Sequence, residues 1–384
     1  MSTPSQLPPL ALYVHVPWCV RKCPYCDFNS HEQRGELPEA GYVAALLADL
    51  DAALPAVQGR AITSIFIGGG TPSLFSTESI ARLLEGVRSR TPLAPDAEVT
   101  LEANPGAVEA HKFAGFRAAG VNRLSLGVQS FSAAQLATLG RIHDVAEAHR
   151  AIALARAAFD RVNIDLMYVL PGQAPAEAIA DVDAALDSGA THLSFYHLTI
   201  EPNTVFHARP PVLPDEDAAV AIEEAVHERV AAAGFRRYEI SAWAQPGEEC
   251  RHNLNYWRFG DYLGIGAGAH AKMTTPDGVI RESRTRAPAD YLRRTTAGTS
   301  TVAERRVVTP AELPFEFMMN ALRLPGGFPE KLFTGRTGLP LSAAEPALST
   351  AIERDLLTRR HGEIRPTDQG LRFLNDLLAL FLPA

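Results

Sequence analysis

Cysteine is scarce in this chain. Only four of its 384 residues are cysteine, and three of those, Cys19, Cys23 and Cys26, fall within eight positions. Clustering of that kind points to metal binding rather than to a framework of disulfides. The opening stretch MSTPSQLPPL lacks the basic and apolar regions of an export signal. No run of about 18 apolar residues follows that would span a membrane. These absences together lead to the expectation of a reducing, cytoplasmic setting. Positive charge is also short, with 36 Lys and Arg against 44 Asp and Glu, a net charge of -8, and no basic block. A nucleic-acid-binding surface is therefore not expected. What remains is ordinary globular composition, 46% hydrophobic and 21% charged, over a length that suggests two or three domains.

From residue 10 to about 243, apolar β-rich runs alternate with amphipathic ones. The strand candidates are 10–16, 62–67, 97–103, 121–128, 161–170 and 191–198, each bounded by turn residues. Helical patterns lie between them at 39–54, 77–90, 107–119, 144–158 and 174–188. In 144–158 and just beyond, Val145, Ala148, Ile152, Ala155 and Phe159 recur at the spacing of one helix face. Strand–helix repetition makes a parallel sheet covered by helices, and six units suffice for a partial or complete barrel. Ligands of such folds meet the C-terminal ends of the strands. The expected fold class is thus α/β. Residues 1–9 read as a flexible tail, 10–245 as the α/β core, and 246–305, rich in Gly, Pro, Arg and Thr, as a connector. Residues 306–384 read as a small helical, winged-helix-like domain, with GEIRPT as its wing, and packing or docking is the expected role of that domain.

The sequence YVHVPWCVRKCPYCDFNS places C-x3-C-x2-C directly after the first strand. Thiolates are soft ligands suited to iron–sulfur clusters. A cubane has four irons, so three closely spaced cysteines leave one iron open to a small molecule bound through an amine and a carboxylate. A zinc site completed by His15 or Cys250 is the alternative. GGGTPS follows the second strand, and Gly68, Gly69 and Gly70 allow close backbone approach and expose N–H groups. Glu102, Gln129 and Asp165 stand in or at the ends of the next three strands, where carboxylates can bind ribose hydroxyls.

These motifs resemble the radical S-adenosylmethionine superfamily. Within it, HVPWCVRKCPYCDF resembles the branch that holds oxygen-independent coproporphyrinogen III oxidase and its relative, the heme chaperone HemW. The resemblance covers nearly the whole chain. It implies a partial (β/α)6 TIM-type barrel and a C-terminal domain like that of HemN. It implies a [4Fe-4S] cluster on Cys19, Cys23 and Cys26, and S-adenosylmethionine on the open iron. Contacts to that cofactor are carried onto Tyr13, Gly69, Gly70, Thr71, Glu102, Gln129, Arg141 and Asp165, with Tyr25 inside the cluster loop.

Two features divide the branch. The oxidase has a fourth cysteine two residues after the third, where this chain has Phe28, and a longer stretch before its cysteines than the 18 residues found here. Residues 252–257 read HNLNYW, the HNxxYW signature of the HemW branch. The resemblance therefore implies a heme chaperone without coproporphyrinogen III oxidase activity, and a radical enzyme acting on a tetrapyrrole is the alternative. His252 is the candidate heme ligand, because imidazole commonly binds heme iron. Tyr256 and Trp257 offer flat faces to the macrocycle. Cys250 and His270 are further candidates. The glycines of GIGAGA, 264–269, read as close backbone packing. The expected partners are heme, an acceptor protein that a membrane could carry, and a second copy in a homodimer.

Overall fold

The computed structural model describes residues 7–383, so most of the expected tail lies outside the described residues. Six parallel strands follow in order: β1 (Leu10–Val16), β2 (Ile62–Gly69), β3 (Leu93–Ala103), β4 (Arg123–Gln129), β5 (Arg161–Tyr168) and β6 (His192–His197). Each is adjacent to the next in space, with Leu12 beside Ile65 and Glu102 beside Ser125 setting the register. Helices α1 (Glu39–Val57), α2 (Thr77–Arg88), α3 (Phe113–Ala119), α4 (Val145–Ala158) and α5 (Pro175–Asp187) cover the outside. The stretch expected as one helix over 107–119 is broken, since its first turn ends at Ala110 and α3 starts at Phe113. Capping agrees with the sequence at α4, where Asp144 and Glu147 form a reciprocal capping box.

The strands continue beyond these six. Helix α6 (Glu216–Ala232) leads to β7 (Arg236–Glu239) and β8 (Ala242–Ala244), which pair antiparallel and close one side against β6. Residues 246–305, expected as a connector, instead carry α7 (Arg251–Trp257) and a sheet extension. The extension comprises β9 (Asp261–Ile265), β10 (His270–Thr275), β11 (Gly278–Arg284) and β12 (Val302–Val307). β9 lies parallel to β1, and the rest follow antiparallel. Its glycine and arginine content hid these strands. The sheet holds twelve strands in the order β12-β11-β10-β9-β1-β2-β3-β4-β5-β6-β8-β7, open at both ends, which makes a partial barrel.

Helix α8 (Pro288–Thr296) packs on α1. The C-terminal unit contains α9 (Leu313–Ala321), α10 (Glu330–Thr337), α11 (Ala347–Glu353) and α12 (Leu374–Ala379). A three-stranded sheet of β13 (Phe328–Pro329), β14 (Leu357–Arg360) and β15 (Glu363–Pro366) supplies the wing-like hairpin. Phe317, Phe328 and Phe333 form its core together with Phe259 and Val279 of the sheet extension.

α1 has the length and composition of a membrane-crossing helix, yet it packs as a core helix. Tyr42, Val43, Leu46 and Leu50 face the sheet. Its buried Asp49 accepts from Arg284 Nε at 3.0 Å, Thr301 Oγ1 at 2.8 Å and Tyr291 Oη at 2.9 Å.

Candidate functional site

The cysteine loop leaves the end of β1 and folds back on itself. Cys26 N–H donates to Cys23 O at 3.2 Å, His31 N–H to Pro17 O at 2.7 Å, and Gln33 N–H to Cys19 O at 2.8 Å. Lys22 Nζ donates to Phe28 O at 3.0 Å, inside the same turn. Trp18 packs edge-on against Tyr42 with ring centroids 4.7 Å apart, which holds the loop on α1. Asn29 Nδ2 reaches Ala267 O and Arg286 O, both at 2.9 Å, and pins the loop to the sheet extension.

Cys19, Cys23 and Cys26 are free and half-buried, and they line one cavity of about 770 Å³ at the C-terminal ends of the strands. Among the described residues, no three His, Cys, Asp or Glu side chains are set to hold a single metal ion. Neither fourth ligand weighed for the zinc alternative is available. His15 Nε2 donates to Asn29 O at 2.9 Å and its Nδ1 accepts from Tyr13 Oη at 3.0 Å, so the ring has no free lone pair. Cys250 is fully buried, and its Sγ sits 3.4 Å from Glu98 Oε1. Burial pushes that thiol up to about 12. A cubane places each thiolate on a different iron, so it suits sulfurs that face one cavity without converging on a point.

Tyr25, Gly69, Gly70, Thr71, Glu102, Gln129, Arg141 and Asp165 line the same cavity. The structure thus brings together every proposed cofactor contact except Tyr13, which lies on a neighbouring cavity. The glycines are required by crowding. A Cβ on Gly69, whose φ is +116°, would lie 2.6 Å from the His15 ring, and one on Gly70 would lie 2.5 Å from Trp18 O. Their N–H groups are not exposed as expected. Gly69 N–H donates to Glu102 Oε2 at 3.1 Å, Gly70 N–H to Val16 O and Thr71 N–H to Trp18 O, both at 2.7 Å. Gln129 holds a φ of +71°, a conformation that costs a non-glycine residue and that occurs where a site over-determines the backbone.

Both carboxylates are held above their ordinary values. Burial, then repulsion from Asp165, pushes Glu102 up to about 8, although the Gly69 N–H opposes this. Burial also raises Asp165, against hydrogen bonds from Asn163 Nδ2 at 2.8 Å and Ser125 Oγ at 3.1 Å. Burial works against the charge of Arg141, but Tyr25 and Cys23 outweigh it and hold the guanidinium firmly protonated. Arg141 donates to Asn104 Oδ1 at 2.6 Å, to Gly127 O at 2.7 Å and to Cys23 Sγ at 3.4 Å. Its buried Nε has no hydrogen-bond partner among the described residues.

Residues 13–185 match the radical SAM superfamily, and residues 308–373 match the HemN C-terminal domain. The chain is 52% identical over 379 residues to heme chaperone HemW of Escherichia coli (strain K12), covering 98% of this chain and 99% of that one. It is 48% identical to heme chaperone HemW of Haemophilus influenzae, over 98% of this chain and 99% of its relative. It is 36% identical to the mouse protein radical S-adenosyl methionine domain-containing protein 1, mitochondrial, over 97% and 87% of the two chains. The chain belongs to the HemW family of the radical SAM superfamily. In fold it is similar to coproporphyrinogen III oxidase (HemN) of Escherichia coli, with a TM-score of 0.82 at 21% identity over 98% of this chain and 90% of that one.

The HNxxYW segment of this family member is α7, which packs against β1, β2 and β9. Glu98 caps it, accepting from Arg251 N–H at 3.1 Å and His252 N–H at 3.0 Å. His252 is 1% exposed, with Nδ1 3.0 Å from Ser64 Oγ and Nε2 2.9 Å from Tyr256 Oη. Both nitrogens are engaged, so the structure does not present His252 to a ligand, contrary to expectation. Trp257 is half-buried, with the Arg323 guanidinium 4.4 Å over its ring. Tyr256 lines a cavity beside the one that holds the cysteines.

Sequence reasoning missed Asn104, Tyr196 and Arg323, which also line the main cavity. Asn104 stands two residues after Glu102 on the same strand end and had that signal. Arg323 comes from the C-terminal unit and had none. The inward layer of Ser125, Asn163, His192 and Ser194 was hidden in strands that read as apolar. His192 Nδ1 donates to Asn163 Oδ1 at 2.6 Å there.

Proposed function

We propose that this chain is a cytoplasmic heme chaperone that carries a [4Fe-4S] cluster on Cys19, Cys23 and Cys26 with S-adenosylmethionine beside it, and that passes heme to an acceptor protein. The observation that supports the cofactor part is the single cavity shared by the three thiols and the strand-end carboxylates. When bound, cluster and cofactor together supply one-electron chemistry. The chain's own residues would hold them: Glu102 and Asp165 accept from ribose hydroxyls, and Arg141 compensates thiolate charge at Cys23 while fixing Asn104. The heme part draws support from the relatives at 52% and 48% identity, both named heme chaperones, and from Phe28, which is 64% exposed where the oxidase has its fourth cysteine.

The test is anaerobic reconstitution, followed on one sample by hemin titration and an assay of coproporphyrinogen III consumption. About four irons per chain are expected, with heme bound and no porphyrinogen consumed. Cys19→Ala, Cys23→Ala and Cys26→Ala should each lose the cluster, and Cys250→Ala should keep it. Turnover of coproporphyrinogen III by the parent protein would replace the chaperone reading with an enzymatic one.

A further inference from the structure

A second cavity, of about 640 Å³, adjoins the first and shares Phe28, Gly69 and Glu102 with it. It lies over the inner face of β1 and the sheet extension. Tyr13, Tyr256 and Tyr262 offer aromatic faces to the lining, which also includes the exposed Phe28. Tyr256 and Tyr262 are locked edge-to-face with centroids 4.5 Å apart. Volumes of about 300–1,000 Å³ with aromatic lining and a few placed polar groups are those of organic-ligand sites.

Two histidines line this cavity, His15 and His270. His15 has both nitrogens engaged. His270 is exposed at the start of β10, and neither of its ring nitrogens has a hydrogen bond among the described residues. Partial desolvation of the ring, then the nearby Arg281 and Arg286, lower its pKa against Glu304, which favours the neutral form that keeps a lone pair for a metal. Arg286, also on the lining, is exposed and its guanidinium has no side-chain partner there. Glu304 lies on the same lining and opposes anions, so the cationic edge is confined to the Arg286 side.

We propose that heme occupies this second cavity, with its iron on His270 Nδ1 or Nε2 and its propionates toward Arg286, and that His252 is a positioning residue that holds Tyr256 in the wall. The proposal rests on the reading of the chain as a heme carrier. It differs from the expectation drawn from HNxxYW, since the motif supplies a wall and not the iron ligand.

The full-length chain, reconstituted with its cluster, is titrated with hemin and separately with metal-free protoporphyrin IX. His270→Ala should shift the heme absorbance band and raise the rate of heme loss to apomyoglobin by about tenfold or more, the scale of one lost ligand contact. It should leave protoporphyrin IX affinity and iron–sulfur content unchanged, and free imidazole should restore the band. Arg286→Glu should weaken both ligands without moving the heme band. His252→Ala should keep the parent's band, because His252 is not the iron ligand, but weaken heme and protoporphyrin IX alike, because it holds the Tyr256 wall; unchanged affinity for both would remove that positioning role. If the parent binds heme and His270→Ala has the same spectrum and off-rate, the ligand assignment is wrong while the chaperone reading stands. If the parent binds no heme at all, both fall together.

Discussion

Glu102 shows how one residue carries more than the sequence could state. Its place at a strand end marked it as a ligand contact, but its protonation is set by burial and then by Asp165. Its folded pKa of about 8 lies above the ordinary 4.5. A raised acid adds stability that is full below the unfolded value and disappears as pH rises through the folded one. The cofactor-free protein should therefore lose stability between pH 4.5 and about 8 through this group, and Glu102→Gln should remove that component of the slope in urea melts taken across the range. A parallel slope in the variant would mean that another group titrates there. His252 makes the opposite point. Its motif suggested exposure to a ligand, while Ser64 and Tyr256 engage both nitrogens inside the barrel. His252→Ala removes two buried hydrogen bonds and leaves a cavity, so a loss of about 2–4 kcal/mol is expected in chemical denaturation.

At the scale of elements, most strands of the parallel barrel were readable, because fully buried strands carry continuous apolar runs. β1 matches its expected 10–16 at both ends. The sheet extension was not readable. β9 is DYLGI, short and interrupted by glycine, and it becomes a strand because β1 offers an unpaired edge beside it. The GIGAGA glycines that follow do serve close packing, since a Cβ on Gly264 would lie 1.9 Å from His270 O and one on Gly266 would lie 2.4 Å from His15 O. α1 is tied to the extension by Asp49, which meets Arg284, Thr301 and Tyr291. Asp49→Ala would leave the buried Arg284 charge without its main partner, and a loss of about 3–5 kcal/mol is expected. Asp49→Ala that melts like the parent would show the network to be dispensable.

Across the whole molecule, one buried carboxylate joins the N-terminus of the barrel to the extension. Asp261 accepts from Arg60 at 2.7 Å, Lys272 at 3.0 Å and Thr274 Oγ1 at 2.8 Å, while Arg60 also holds Pro8 O at 3.0 Å. Burial pushes the Asp261 carboxyl up, but Lys272 and Arg60 outweigh it, and the net shift is downward. A depressed acid contributes stability above its unfolded pKa, and that stability disappears as pH falls through the folded value. Asp261→Asn should therefore cost more stability at pH 7 than at pH 3, measured by guanidinium melts at both. Equal losses would assign its role to packing. The C-terminal unit shares Phe259 and Val279 with this region, and it sends Arg323 into the main cavity.

Local pattern was enough for the strand–helix alternation, the cysteine loop and the family, because each is written in residues a few positions apart. The tertiary structure alone decided which side chains face a ligand. Asn29 meets Ala267 across 238 positions and Arg141 meets Cys23 across 118. The fate of HNLNYW depended on contacts of this range. Whether its histidine meets solvent or Ser64 is settled by the barrel that closes around it, and no spacing within the motif encodes that closure.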